Sequence, residues 1–283
     1  MAIGDRRRPD PLGGAPRSRG RPLAAIALVL AIALAAGTGP ASAGPAPKPR
    51  LAWRAHFGLA NRYLRHRAGE ISYGVVGPNG YYHGHHGART VPMASTFKVM
   101  LLATYLRRPS VRHRPIRHAD RRLLGPMIRR SDNLAATRVR DIVGRGAIER
   151  LAHDARMRDF HYDPIWGLSR TSARDQARFM YRFERYVPRR HRQYARHLLT
   201  RIVPSQRWGI GRVALHGWRL HFKGGWGSGT GAVDHQVAFL QSHGYRVSVA
   251  ILTTSSPSHA YGKVTLKGVA TRLLWGLPRL NHG

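Results

Sequence analysis

Arg246-Val247-Ser248-Val249-Ala250-Ile251-Leu252 places Val247, Val249 and Ile251 at every second position, the period of a strand buried on one face. Upstream, Val233 to Leu240 is a second β-rich run. Ser242-His243-Gly244 between them has turn chemistry, so the pair reads as a hairpin. Near the other end of the chain, Ile71-Ser72-Tyr73-Gly74-Val75-Val76 reads as a strand. Gly77-Pro78-Asn79-Gly80 is a turn, and Tyr81 to Arg89 is its returning strand. Arg219 to Lys223 is a further extended run. The intervening chain is helical in character. Thr96 to Leu106 is apolar on most sides and predicts a buried helix, and Pro115 to Tyr186 reads as mostly helical with short breaks. Helix-like spacing over Leu51 to His66 and a last helix after Pro257 flank the strands. Strands cluster with strands, which predicts an α+β fold. Its antiparallel sheet is built from both chain ends (about 48–94 and 216–283) and flanked by helices, with a mostly helical lobe inserted at about 95–215.

The 283 residues support a sizeable core, and 42% apolar against 22% charged residues excludes disordered, collagen-like and coiled-coil chains. Cysteine is absent, so a thiol nucleophile, a disulfide scaffold and a cysteine zinc site are excluded. A net charge of +35 first suggests a polyanion partner. The cations, however, are 43 arginines against five lysines, namely Lys48, Lys98, Lys223, Lys263 and Lys267. Arginine serves wherever a surface cation suffices. Lysine, which can lose its proton when desolvated, is therefore conspicuous in an apolar or glycine-rich context. Glu70, Glu149 and Glu184 are the only glutamates.

Six arginines between Arg6 and Arg21 precede an apolar run from Leu23 to Ala36 and the small-x-small sequence Ala41-Ser42-Ala43. The pattern predicts a secretory signal peptide over 1–43, cleaved between Ala43 and Gly44, with residues 44–283 as the exported domain. The other reading is an N-terminal membrane anchor, for which the run of 14 residues is short.

Three elements carry candidate chemistry. In Ser95-Thr96-Phe97-Lys98, serine and lysine stand at i and i+3 on one helical face. A lysine pressed among Phe97, Val99, Met100 and Leu101 loses affinity for its proton and can serve as base to the serine. The plainer alternative is a helix N-cap and a lysine reaching to solvent. Ser131-Asp132-Asn133 offers a hydroxyl to shuttle a proton and an amide to hold a substrate, or else an ordinary helix cap. Lys223-Gly224-Gly225-Trp226 offers a cation beside glycines that let a ligand backbone approach, or else a solvent-facing turn.

Together and in this order the three elements resemble those of class A β-lactamases and penicillin-binding proteins. Val91-Pro92-Met93-Ala94, Arg130 before Ser131, Trp166-Gly167-Leu168 and Arg207-Trp208-Gly209-Ile210 resemble the related secreted serine hydrolases. The resemblance spans about Ala52 to Leu274. It implies an acyl-enzyme on Ser95, with Lys98 as base or proton relay, Ser131 as proton donor to the leaving nitrogen and Lys223 contacting the substrate carboxylate and tuning Ser131. It further implies Asn133 and Gly225 in substrate binding, and an oxyanion hole from the N–H groups of Ser95 and Trp226. The substrate expected is a β-lactam or D-alanyl peptide, handled by a monomer without cofactor or metal.

The chain departs from the family in three places. Gly224 replaces the hydroxyl-bearing residue that helps grip a substrate carboxylate, with Ser228 or Thr230 as substitutes. No glutamate stands in the family's deacylation context, and Asp163 is the candidate base, with a turn role before Pro164 as its alternative. The interval from Ser95 to Ser131 is short, which predicts an open cleft. His83, His85 and His86 read as a solvated strand in preference to a metal site, because no acidic residue is close by. Export and the absence of a nucleic-acid motif leave no role for nucleic acid. An anionic cell wall is the expected surface partner, and a cationic wall-binding module with a degenerate site is the competing function.

Overall fold

The computed structural model describes residues 53–227, 232–275 and 277. The signal segment, Lys48, Ser228 and Thr230 lie outside them. The elements run α1 (Trp53–Leu64), β1 (Glu70–Val76), β2 (Tyr82–His85), β3 (Thr90–Pro92), α2 (Phe97–Arg107), α3 (Pro109–Arg112), α4 (His118–Arg129) and α5 (Asn133–Val143). They continue with α6 (Arg145–Asp154), β4 (Arg170–Ser172), α7 (Ala173–Tyr181), α8 (Arg192–Thr200), β5 (Arg219–Trp226), β6 (Val233–Ser242), β7 (Tyr245–Thr254) and α9 (His259–Leu274).

The main sheet has the order β2-β1-β7-β6-β5, and every neighbouring pair is antiparallel. First and last strands of the chain thus meet at its centre, where β1 pairs with β7 from Glu70 opposite Thr254 to Val76 opposite Ser248. The β6–β7 hairpin turns on His243 and Gly244, with φ of 44° and 80°. Positive φ at both central positions is what a tight turn matched to strand twist requires, and histidine is an uncommon residue there. Both strands of this hairpin are almost wholly buried, because α9 covers one face and α7 the other.

α2 is buried from Phe97 to Leu106 without interruption, as its apolar sequence predicts. One feature of the helical stretch was not expected. β4 forms a second, two-stranded sheet with β3, Val91 opposite Thr171. This pairing pins the segment that leads into Ser95, since Met93 N–H also donates to the Ser169 carbonyl at 2.7 Å. β5 runs further than expected, through Gly224 and Gly225 to Trp226, so the Lys-Gly-Gly element is strand and not turn.

His83 lies tilted against Phe57 and His85 stacks on Tyr73, with ring centroids 4.8 and 5.7 Å apart. Among the described residues no three histidine or acidic side chains gather as a metal site. No described helix is long and apolar enough to cross a membrane.

Gly74 in β1 faces the start of α7. A Cβ there would meet the Ala173 carbonyl oxygen at 2.6 Å. Gly74→Ala is expected to push α7 off the sheet and cost about 1–3 kcal/mol of stability. Thermal unfolding checks this, and an unchanged midpoint would show that the helix yields freely.

Candidate active site

Ser95 sits in a 3₁₀ turn, Ala94–Thr96, immediately ahead of α2. Neither this turn nor α2 has a side-chain N-cap bond, so Ser95 Oγ is not used as a cap. Lys98 is one turn on, in α2. Ser131 precedes α5, whose N-cap is Asp132, its Oδ1 accepting the Ala135 N–H at 2.8 Å. The capping role thus belongs to the middle residue of Ser131-Asp132-Asn133. Its neighbours are left to face the cleft, and Ser131 takes a φ of 59° to do so. A non-glycine residue in the left-handed region costs energy that the surrounding packing must offset.

Lys98 Nζ lies 2.7 Å from Ser95 Oγ, 2.7 Å from the Ser131 carbonyl oxygen and 2.7 Å from Asn133 Oδ1, with Ser131 Oγ at 3.1 Å. Lys223 Nζ reaches Ser131 Oγ from the other side at 3.0 Å and donates to the Gly224 carbonyl at 2.6 Å. The result is one chain of polar contacts: Ser95, Lys98, Ser131, Lys223. Both lysines are 0% exposed, whereas Ser95 and Ser131 each keep 9%. The hydroxyls are open to a ligand and the amines are not.

Burial dictates the protonation. It brings the Lys98 ammonium down to about 7 from an ordinary 10.5, against the opposing charge of Asp132. Lys223 is held well below the ordinary lysine range by burial and by the nearby Lys98 charge. A neutral amine has two N–H donors and one lone pair. The Ser131 carbonyl and Asn133 Oδ1 can only accept, so they take both donors of Lys98. The lone pair is left for the Ser95 hydroxyl proton. In the neutral form of Lys98 this geometry can activate a serine hydroxyl.

Gly225 brings the third element in. A Cβ at Gly225 would meet Thr96 N at 2.9 Å, Ser95 N at 3.0 Å and the Met93 carbonyl at 3.1 Å. Strand β5 therefore lies directly against the Ser95 turn, and glycine is what permits it. The approach sets the Ser95 backbone beside the strand that carries Trp226.

Asp163 and Trp166 complete the description of the site. The polar contacts of Asp163 are local: its N–H donates to Ser169 Oγ at 3.0 Å and its Oδ1 accepts the Ile165 N–H at 2.7 Å. The carboxylate whose charge reaches Lys98 is Asp132, not Asp163. Above Lys98 Nζ stands the ring of Trp166, 4.8 Å away, with Nε1 donating to Thr137 Oγ1 at 3.1 Å. The sequence presents Trp166 only as part of a family-like tripeptide, and nothing around it signals contact with Lys98.

Solved structures share this architecture. A β-lactamase from Sphaerobacter thermophilus superposes with a TM-score of 0.68 at 20% identity, over 79% of this chain and 97% of that one. An ancestral class A β-lactamase gives 0.65 at 17%, over 78% and 98%. The protein PBP-A gives 0.64 at 16%, over 81% and 97%. No curated protein sequence matches. The fold is that of the serine β-lactamase and penicillin-binding protein superfamily. A profile of the beta-lactamase enzyme family matches residues 116–275, more than half of the chain, and the chain belongs to that family. The match holds Ser131, Asn133 and Lys223. Ser95 and Lys98 lie upstream of it and are joined to it by the contacts above.

The Lys98 amine is expected to titrate near pH 7, observable as its side-chain nitrogen resonance. A Lys98 signal that holds its proton past pH 9 would refute the neutral base.

Proposed function

We propose that this protein is an exported serine hydrolase that opens β-lactams or cleaves the related D-alanyl peptide through an acyl-enzyme on Ser95. The observation that carries the reading is the buried Lys98 amine, its Nζ 2.7 Å from Ser95 Oγ and its pKa lowered to about 7 by burial. Ser95 Oγ attacks the carbonyl carbon of the scissile amide while its proton passes to Lys98 Nζ. The oxyanion is received by the N–H groups of Ser95 and Trp226. As the C–N bond breaks, Ser131 Oγ gives its proton to the leaving nitrogen and regains one from Lys98. Lys223 Nζ, 3.0 Å from that hydroxyl, holds it in line. Asn133 positions the substrate amide, and its Oδ1 also orients Lys98.

Deacylation needs a base for water. An aromatic ring covers Lys98, and Asp163 is occupied by its own turn. Lacking a dedicated carboxylate, the acyl-enzyme is hydrolysed slowly, the behaviour of a penicillin-binding enzyme more than of a fast lactamase. General-base assistance is worth about 10²–10⁴ in rate, and that factor is what this site forgoes.

Intact-mass measurement over time with benzylpenicillin tests both halves. The expected record is one adduct per chain that persists long after it forms, and none on Ser95→Ala. Equal adduct on Ser95→Ala would overturn the acyl-enzyme, and rapid loss of adduct would overturn slow hydrolysis. The acylation rate is expected to rise through about pH 7 and level off above it, because the reactive form is the neutral Lys98.

A second reading, association with an anionic cell wall, has its own support. A groove of about 740 Å³ is lined by Arg112, Arg185, Arg189, Arg190 and Arg192, and its one lining carboxylate, Asp154, is tied to Arg107 at 2.5 Å. Salt-sensitive adsorption to teichoic acid that survives Ser95→Ala is expected. Failure to adsorb at low salt would remove this reading.

A further inference from the structure

Gly224 is the position at which the cleft lacks a hydroxyl, and the structure gives a reason. A Cβ at Gly224 would meet Cζ2 and Cη2 of Trp208 at 3.2 and 3.3 Å, closer than ordinary contact. The indole occupies the room into which a threonine or serine side chain would project. It is held there. Gln236, directly opposite Gly224 in the β5–β6 register, is fully buried. Its Nε2 donates to the Trp208 carbonyl at 2.7 Å and its Oε1 accepts the Ile210 N–H at 2.6 Å. One side chain thus clamps the backbone on both sides of Gly209, which has a φ of 55°.

Trp208 is not alone. Its ring meets Trp226 edge-on at 5.8 Å and His259 edge-on at 5.6 Å, and Trp226 lies 6.2 Å from His259. His259 is fixed in turn by Asp234 Oδ1, 2.5 Å from its Nδ1. All three residues are half-buried, so each keeps some surface open. Lys223, the cation on this strand, is wholly buried and engaged with Ser131 and Gly224. It presents no charge at the surface of this end of the cleft.

We propose that Trp208 is a specificity-determining residue. Seated over Gly224 and flanked by Trp226 and His259, it makes this end of the cleft an aromatic wall that takes an uncharged group of the substrate where a hydroxyl-bearing side chain would hold a carboxylate. The proposal rests on the acyl-transfer reading for its substrate class. Stacking on an indole rewards flat or apolar groups, and a carboxylate set against the ring face loses hydration with no donor from that face in return.

Benzylpenicillin and its methyl ester present the same amide with and without the charge. Binding to the unreactive Ser95→Ala protein is followed through the indole N–H resonances of Trp208 and Trp226. The ester is expected to move the Trp208 signal and to bind at least as tightly as the acid. In Ser95→Ala with Trp208→Ala and Gly224→Thr added, the preference should swing toward the acid by about tenfold, the worth of one hydrogen bond to a charged group. A strong preference for the acid before those changes, or an unchanged ratio after them, would overturn the proposal. Thermal melts confirm that each variant is folded, and Trp208→Phe should keep the original ratio. If the ester binds through Trp208 yet the wild-type protein forms no adduct, the acyl-enzyme reading falls and the assignment of Trp208 stands.

Discussion

Two lysine side chains without any exposed surface, joined through one serine, are the constraint around which this molecule is arranged. Taking ammonium groups out of water is costly, and a fold tolerates it only where the amines can shed their protons and satisfy what remains. Each surrounding element answers that need. α2 supplies the apolar bed, the turn before α5 supplies the Ser131 carbonyl and the Asn133 amide, and β5 closes against the Ser95 turn because Gly225 has no side chain. The left-handed backbone of Ser131 follows from the same demand. Asp132 must cap α5 while the residues on both sides of it face the amine.

Much of this was legible in the sequence. The period of two in Val247, Val249 and Ile251 announced the central hairpin, and the uninterrupted apolar run after Ser95 announced a buried helix. The scarcity of lysine among so many arginines singled out Lys98 and Lys223. Other parts were not legible, for physical reasons. Strands of three residues, such as Thr90–Pro92 and Arg170–Ser172, are too short to show a period, so the small sheet that anchors the entry to Ser95 was invisible. Gln236 reads as an ordinary polar residue in a strand, and its clamp on Trp208 is a contact across 28 positions. Asp163 was singled out because it lies in the right interval of the chain. Its side chain is committed to the neighbouring backbone, as aspartate often is near a proline.

The aromatic residues show the same division. The ring stacked on Lys98 and the ring seated over Gly224 belong to Trp166 and Trp208, which the sequence presents as members of short family-like peptides. One covers a buried amine and the other the bare strand position Gly224, and neither contact is signalled by the local sequence around it.

The placement of the amines has a consequence for how this protein meets electrophiles in general. Strained amides and active esters react with free amines wherever a protein displays them, and guanidinium groups are nearly inert to such reagents because they remain protonated. Among the described residues only Lys263 and Lys267 leave an amine outside the core, one half-buried and one exposed. Among the described residues a surface rich in cations thus offers few amines to acylating agents, and the other two amines are turned inward, beside the hydroxyls of Ser95 and Ser131.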